Sequence, residues 1–239
     1  MKPYYERDGI TIYCGDCLAV MADMSSASVD VVITDPPYGV SSGPSSMRTA
    51  PLAFESIHGD CDTSMALHGI RDALRILREK RHLYAFGRFS FDGLPVQGPT
   101  ELIWDRGKAG LGDLSSVWGP AHEYIQFVVK VSSKANRADG RGSLPNRLRR
   151  GSVLSYPNIQ AGASTLHLTE KPVALLRELV ECSSRFGETV LDPFAGVGST
   201  LVAAELEGRR AIGIEIEERY CEIAAKRLGQ RAMFGAEST

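Results

Sequence analysis

The stretch from Thr189 to Leu228 constrains the fold of this chain more than any other. A short apolar run, Thr189-Val190-Leu191, leads into Asp192-Pro193-Phe194-Ala195-Gly196-Val197-Gly198-Ser199-Thr200. Helical spacing then runs from about Ser199 to Glu207 and stops at Gly208. A second run, Ala211-Ile212-Gly213-Ile214, ends at Glu215, and Tyr220, Ile223, Ala224, Arg227 and Leu228 mark a last helix. Two strands joined through a helix read as a parallel crossover unit, because the returning strand must cross the sheet face with its helix packed there. Glycines at the first turn let backbone approach a ligand closely, where a helix N-terminus offers free N–H groups.

The rest of the chain alternates in the same way. Ile10–Cys14 reads as a half-buried strand, and Val29-Asp30-Val31-Val32-Ile33-Thr34 is a β-branched run ending at Asp35-Pro36-Pro37. Residues 65–80 place Leu67, Ile70, Leu74 and Leu77 at helical spacing before a strand at Leu83–Phe86. Glu101–Trp104 and Tyr124–Val129 read as further strands, and a helix follows Pro172 with Leu175, Leu176, Leu179 and Val180 on one side. The pattern predicts an α/β fold: a doubly wound, mostly parallel sheet with helices on both faces. Periodicity disappears from about residue 131 to 166, and a gap rich in Ser, Gly and Pro runs from about 41 to 51. The expected organisation is a first half of the core at 1–130, a small irregular insert at 131–165 and a second half at 166–239.

A chain of 239 residues buries enough surface to fold without disulfides or structural metals. Its five cysteines are odd in number and sparse, and Cys14 and Cys17 have no second pair to complete a tetrahedral site, so reduced thiols at a strand end and no metal are expected. No apolar run approaches the roughly 18–20 residues of a membrane span. The N-terminus offers no apolar signal segment, so a cytoplasmic protein is expected. The net charge of −2 hides a division: Lys130, Lys134, Arg137, Arg141, Arg147, Arg149 and Arg150 stand against Asp139 alone, a local +6 that leaves −8 for the rest. A basic block on an acidic body suits contact with a polyanion, although such runs are also ordinary solvated loops.

Two motifs carry chemistry. Glu215 ends the strand after the glycine turn, 19 residues beyond Gly196, where an acid accepts hydrogen bonds from both hydroxyls of a ribose. The turn lacks the third glycine of a dinucleotide site and the Gly-Lys-Ser/Thr of a phosphate loop. The expected ligand therefore carries a ribose without needing a pyrophosphate cradle, and S-adenosylmethionine fits. The second motif is Asp35-Pro36-Pro37-Tyr38, directly after an apolar strand. Asp35 supplies an acceptor for an exocyclic amine, the prolines fix the backbone so that the Pro36 carbonyl joins it, and Tyr38 offers a flat face to an unstacked base. In open α/β sheets ligands sit beyond the carboxyl ends of the strands, where strands ending at Asp35 and Asp192 can feed one crevice.

In these motifs, and in this order, the chain resembles the amino-specific DNA methyltransferases that modify adenine N6 or cytosine N4, in the permuted arrangement with the catalytic motif first. Gly15-Asp16-Cys17, Asp35-Pro36-Pro37-Tyr38-Gly39, Ile103-Trp104-Asp105 and His122-Glu123-Tyr124-Ile125 resemble its N-terminal half. His167-Leu168-Thr169-Glu170-Lys171-Pro172, Asp192–Thr200 and Gly213-Ile214-Glu215 resemble its C-terminal half. The likeness covers nearly the whole chain outside 131–165. It implies a Rossmann-like S-adenosylmethionine-dependent fold with Asp35, Pro36, Pro37 and Tyr38 as the catalytic corner. It also implies a cofactor pocket of Asp16, Cys17, Thr169, Lys171, Asp192, Phe194, Ala195, Gly196, Gly198, Ser199, Thr200 and Glu215. The segment between the halves would read double-stranded DNA through the basic block. Aspartate at the head of the catalytic motif leans toward adenine, with cytosine N4 as the alternative. Arg106 departs from the lysine that often follows the Trp-Asp pair, and the recognition segment is short. The expectation is a restriction–modification type enzyme, monomer or homodimer, with no membrane partner. A nicotinamide-dependent oxidoreductase would leave Asp35–Tyr38 and the basic block unexplained, and a DNA-binding protein without catalysis would not need both motifs intact.

Overall fold

Val29–Thr34 is buried at every residue, as a β-branched run with parallel neighbours on both edges should be. It is the third strand (β3) of a computed structural model that describes residues 1–37, 63–107, 117–119, 121–131, 150–158 and 170–234. Before it come β1 (Tyr5–Arg7), β2 (Ile10–Cys14) and α1 (Cys17–Ala22); after it α2 (Thr63–Ile76), β4 (Leu77–Phe86), β5 (Val96–Asp105), β6 (His122–Lys130) and β7 (Val153–Ser155). The second half contributes α3 (Val173–Ser183), β8 (Thr189–Asp192), α4 (Ser199–Leu206), β9 (Arg210–Glu215) and α5 (Glu218–Phe234). Among the described residues the strands form one sheet in the order β1-β2-β9-β8-β3-β4-β6-β5-β7.

The middle of that sheet, β2-β9-β8-β3-β4, is parallel throughout. β1 and β6 join it antiparallel, β5 pairs antiparallel with β6, and β7 closes the far edge parallel to β5. From β3 the chain winds outward to β4, and from β8 it winds the other way to β9. The reversal falls between β8 and β3, which are registered Val31↔Val190 and Val32↔Leu191. A reversal of winding opens a crevice at the carboxyl ends of the two strands. Side chains alternate across the sheet as a period of two requires. Val31 and Ile33 pack with Leu176, Leu179, Leu201 and Leu228 of α3, α4 and α5, whereas Val32 packs with Val20, Met21, Ile70 and Leu74 of α1 and α2. The sheet is doubly wound and mostly parallel, as the alternation predicts.

Three local features differ from expectation. α2 stops at Ile76 and the chain passes straight into β4, so Leu77 opens a strand opposite Val29. Leu77 is buried in either setting, and apolar spacing cannot separate the two. β7 lies inside the stretch expected to lack regular structure; three residues carry no periodicity, and the strand exists because it docks on β5, Ile103↔Val153. Cys17, expected at a strand end, instead opens α1, where the Asp16 carboxylate accepts the Leu18 N–H at 2.9 Å as the N-cap. No helix among the described residues is long and apolar enough to cross a membrane.

At the amino-terminal end of β3, Asp30 is only 2% exposed. Its carboxylate accepts the Thr189 N–H of β8 at 3.0 Å, Arg81 of β4 at 3.0 Å, and Arg78. Arg81 also pairs with Glu188. Burial works against the ionised form, but these donors outweigh it and hold Asp30 below the usual carboxylate range. One carboxylate thus ties three neighbouring strands at the edge opposite the crevice.

Candidate active site

Beyond the carboxyl ends of the parallel strands lies a cleft of about 460 Å³, a size that suits a small-molecule ligand. The corners after β2 (Gly15–Cys17), β3 (Asp35–Pro37), β8 (Asp192–Val197) and β9 (Glu215–Glu217) converge on it, and Trp104, Glu123 and Asn158 close the far side. The residues expected to bind cofactor and those expected to act on the substrate therefore share one cavity. Tyr38 and Thr169 lie outside the described residues.

The glycine loop is built by three different devices. Gly196 has φ +50°, and a Cβ placed there would meet no atom within 4 Å, so its open side is room for a ligand. Gly198 has φ +79° at the N-cap of α4, and a Cβ there would come within 2.8 Å of the Ala224 Cβ. Gly198 is a packing glycine: it lets α5 approach and does not line the cleft. The loop is fastened from behind by contacts the sequence did not announce. Ser199 Oγ donates to Glu170 Oε1 at 3.0 Å, and Arg227 of α5 lies 2.7 Å from the same oxygen. Ser199, expected as a cofactor contact, thus spends its hydroxyl on this anchor while also lining the cleft.

Two acids hold the turns. Asp192 is 4% exposed, accepts the Phe194 N–H at 3.1 Å and the Thr200 hydroxyl, and is pushed up to about 7 by burial, with the charges of Asp35 and Glu215 adding to the effect. Glu215 accepts the Gly196 N–H and the Glu217 N–H, both at 2.8 Å. Burial raises its pKa as well. The Ile216 N–H bonds the same carboxylate, and of its roughly four lone-pair directions one is left for a ligand hydroxyl. Beside it Ile216 is 44% exposed and lines the cleft; an apolar residue directly after the strand-end acid was the available signal for this flat wall. Cys17 is buried, and its thiol is raised to about 12 by that burial.

On the opposite wall Asp35 Oδ2 receives the Lys171 ammonium at 2.5 Å. Lys171 is also 3.5 Å from Glu123 Oε2, and Arg106 bonds Glu123 Oε1 at 3.2 Å. Lys171, expected in the cofactor pocket, lines this shared cleft and reaches across it to Asp35. Burial lowers the Lys171 pKa, but the two carboxylates overcome this and raise it above the ordinary value.

The basic block divides. Lys130 donates to the carbonyls of Leu77 at 2.6 Å and Arg75 at 3.3 Å, closing the end of α2. Arg150 pairs with Glu178 at 3.1 Å and with Glu181, both on α3. These two cations are held by the protein itself. Lys134, Arg137, Arg141, Arg147 and Arg149 lie outside the described residues.

Against known proteins, residues 29–226 match the model of a family of N6 and N4 enzymes described as DNA methylases. The chain is 32% identical over 232 residues to YubD of Escherichia coli strain K12, named as a methylase, across 92% of this chain and 91% of that one. It is 26% identical over 265 residues to the DNA adenine methyltransferase YhdJ of the same strain, across 98% and 87%. The structure of TTHA0409, a DNA modification methylase of Thermus thermophilus complexed with S-adenosyl-L-methionine, shares the fold at TM-score 0.62 and 22% identity, over 92% of this chain and 94% of that chain.

Proposed function

We propose that this chain, which belongs to the N6/N4 family of DNA methylases, methylates the N6 amine of adenine in double-stranded DNA. The observation that carries the reading is the meeting of the Asp35-Pro36-Pro37 corner and the Asp192–Thr200 loop in one cleft at the reversal of the sheet. The residues fit S-adenosylmethionine: Gly196 leaves open space, Glu215 presents a carboxylate oxygen for a ribose hydroxyl, and Ile216 offers an apolar face for the adenine ring. That group supplies an activated methyl when bound. The target base leaves the stack to reach the cleft, where Asp35 and the Pro36 carbonyl accept its amine and Tyr38 would stack on its ring. Hydrogen bonds that favour a tetrahedral nitrogen strengthen toward the transition state and so accelerate the step.

Adenine is favoured by aspartate at the head of the catalytic motif and by the named specificity of YhdJ. Recognition of DNA is assigned to the 131–165 segment between the halves at 1–130 and 166–239. Its phosphate and base contacts are assigned to Lys134, Arg137, Arg141, Arg147 and Arg149, since Lys130 and Arg150 have partners of their own. The test is to incubate unmethylated genomic DNA with the protein and S-adenosylmethionine, digest it, and identify the modified nucleoside by mass spectrometry. N6-methyladenine is the expected product; N4-methylcytosine would move the specificity to the other branch.

Glu215→Ala is expected to weaken S-adenosylmethionine binding by about 1–3 kcal/mol, because the ribose hydroxyl loses its acceptor and the Gly196 N–H loses its own. Calorimetric titration measures this directly. Unchanged affinity would remove the ribose from this corner.

A further inference from the structure

We propose that Lys171 is a positioning residue for Asp35, and that Glu123, braced by Arg106, positions Lys171 in turn. This rests on the reading of Asp35 as the acceptor of the target amine. Four charges alternate along one wall of the cleft: Asp35 after β3, Lys171 before α3, Glu123 on β6 and Arg106 just past β5. No two of them come from the same element, so the row exists only in the folded protein. The Lys171 side chain is 9% exposed and its ammonium lies 5.0 Å over the Phe86 ring. An ammonium so buried requires compensating partners, and its ion pairs among the described residues run to Asp35 and Glu123, away from the glycine loop. The ion pair at Oδ2 fixes the plane in which the Asp35 carboxylate meets the incoming amine. The corner is thereby held rigid before substrate arrives, which is where positioning acts on rate.

The test compares Lys171→Met, Lys171→Arg, Glu123→Gln and Asp35→Asn with the unaltered protein. Tritium-labelled S-adenosylmethionine and unmethylated genomic DNA give the rates, calorimetry gives cofactor affinity, and thermal unfolding reports the fold. Lys171→Met should lower kcat about 100-fold while cofactor affinity stays within about threefold. Lys171→Arg, which keeps the charge, should recover part of the loss, and Glu123→Gln should cost about tenfold in kcat. Loss of cofactor affinity in proportion to activity would make Lys171 a cofactor ligand and overturn the proposal, as would an unchanged kcat in Lys171→Met. If Lys171→Met does not fold, Glu123→Gln and Lys171→Arg decide, and wild-type kcat in both overturns it. An unaltered protein that methylates no DNA, or an Asp35→Asn variant at full rate, would instead defeat the functional reading itself. Activity retained in Lys171→Met but lost in Asp35→Asn defeats the positioning role alone.

Discussion

Replacing Asp35 with alanine is expected to reduce methyl transfer by at least about 100- to 1000-fold, the cost of removing one preorganised hydrogen-bond partner of the reacting group. The amine of adenine is a poor nucleophile because its lone pair is delocalised into the ring. An acceptor aligned with the amine hydrogens stabilises the tetrahedral nitrogen in which that pair is free, and this benefit is confined to the transition state. Cofactor affinity should survive, since the ribose corner at Glu215 stands on β9 and Asp35 on β3, with β8 between them. Tritium incorporation into DNA and calorimetry separate the two quantities. A variant retaining a rate within about tenfold of the original would remove Asp35 from the chemistry.

The largest loss of stability is expected from Asp30→Ala, about 3–5 kcal/mol by urea unfolding at neutral pH. The substitution strips a buried carboxylate from two guanidinium groups and from the Thr189 N–H, leaving Arg81 buried with Glu188 as its remaining ion-pair partner. Because Asp30 is held below its ordinary 3.8, its contribution is complete above that value and is lost as the pH falls through the lower folded one. The gap between the two proteins should therefore close in acid. A loss under about 1 kcal/mol would mean that the arginines are satisfied by Glu188 and solvent.

How much of this was legible depended on whether the cause was local. Val29–Thr34 and Thr189–Glu215 announced themselves because a β-branched run, two glycines and a strand-end acid act on their immediate neighbours. The residues lining the cleft were largely foreseeable for that reason. Lys171 was legible as a cleft residue but its bond to Asp35 was not: its motif adjoins the cofactor half, yet this ion pair spans 136 residues. Glu170 and Arg227 were illegible as an anchor for the same reason, one lying before α3 and the other on α5. Counting charges from 130 to 150 showed Lys130 and the exposed Arg150 as cations but not what they meet. Their partners are helix-end carbonyls and the acids Glu178 and Glu181, which no local count includes.

The central position of β3 and β8 has a mechanical consequence. Both strands are bonded on both edges, and their side chains are buried along their whole length. Their amides can exchange with solvent only when the whole domain opens. The wall at Asn158 follows β7, a three-residue margin that among the described residues is bonded along one edge, with Val153 57% exposed. Amides of that margin are expected to exchange before those of the centre, which hydrogen exchange would measure. The cleft is thus expected to act as a vice whose firmer jaw carries both Asp35 and Asp192.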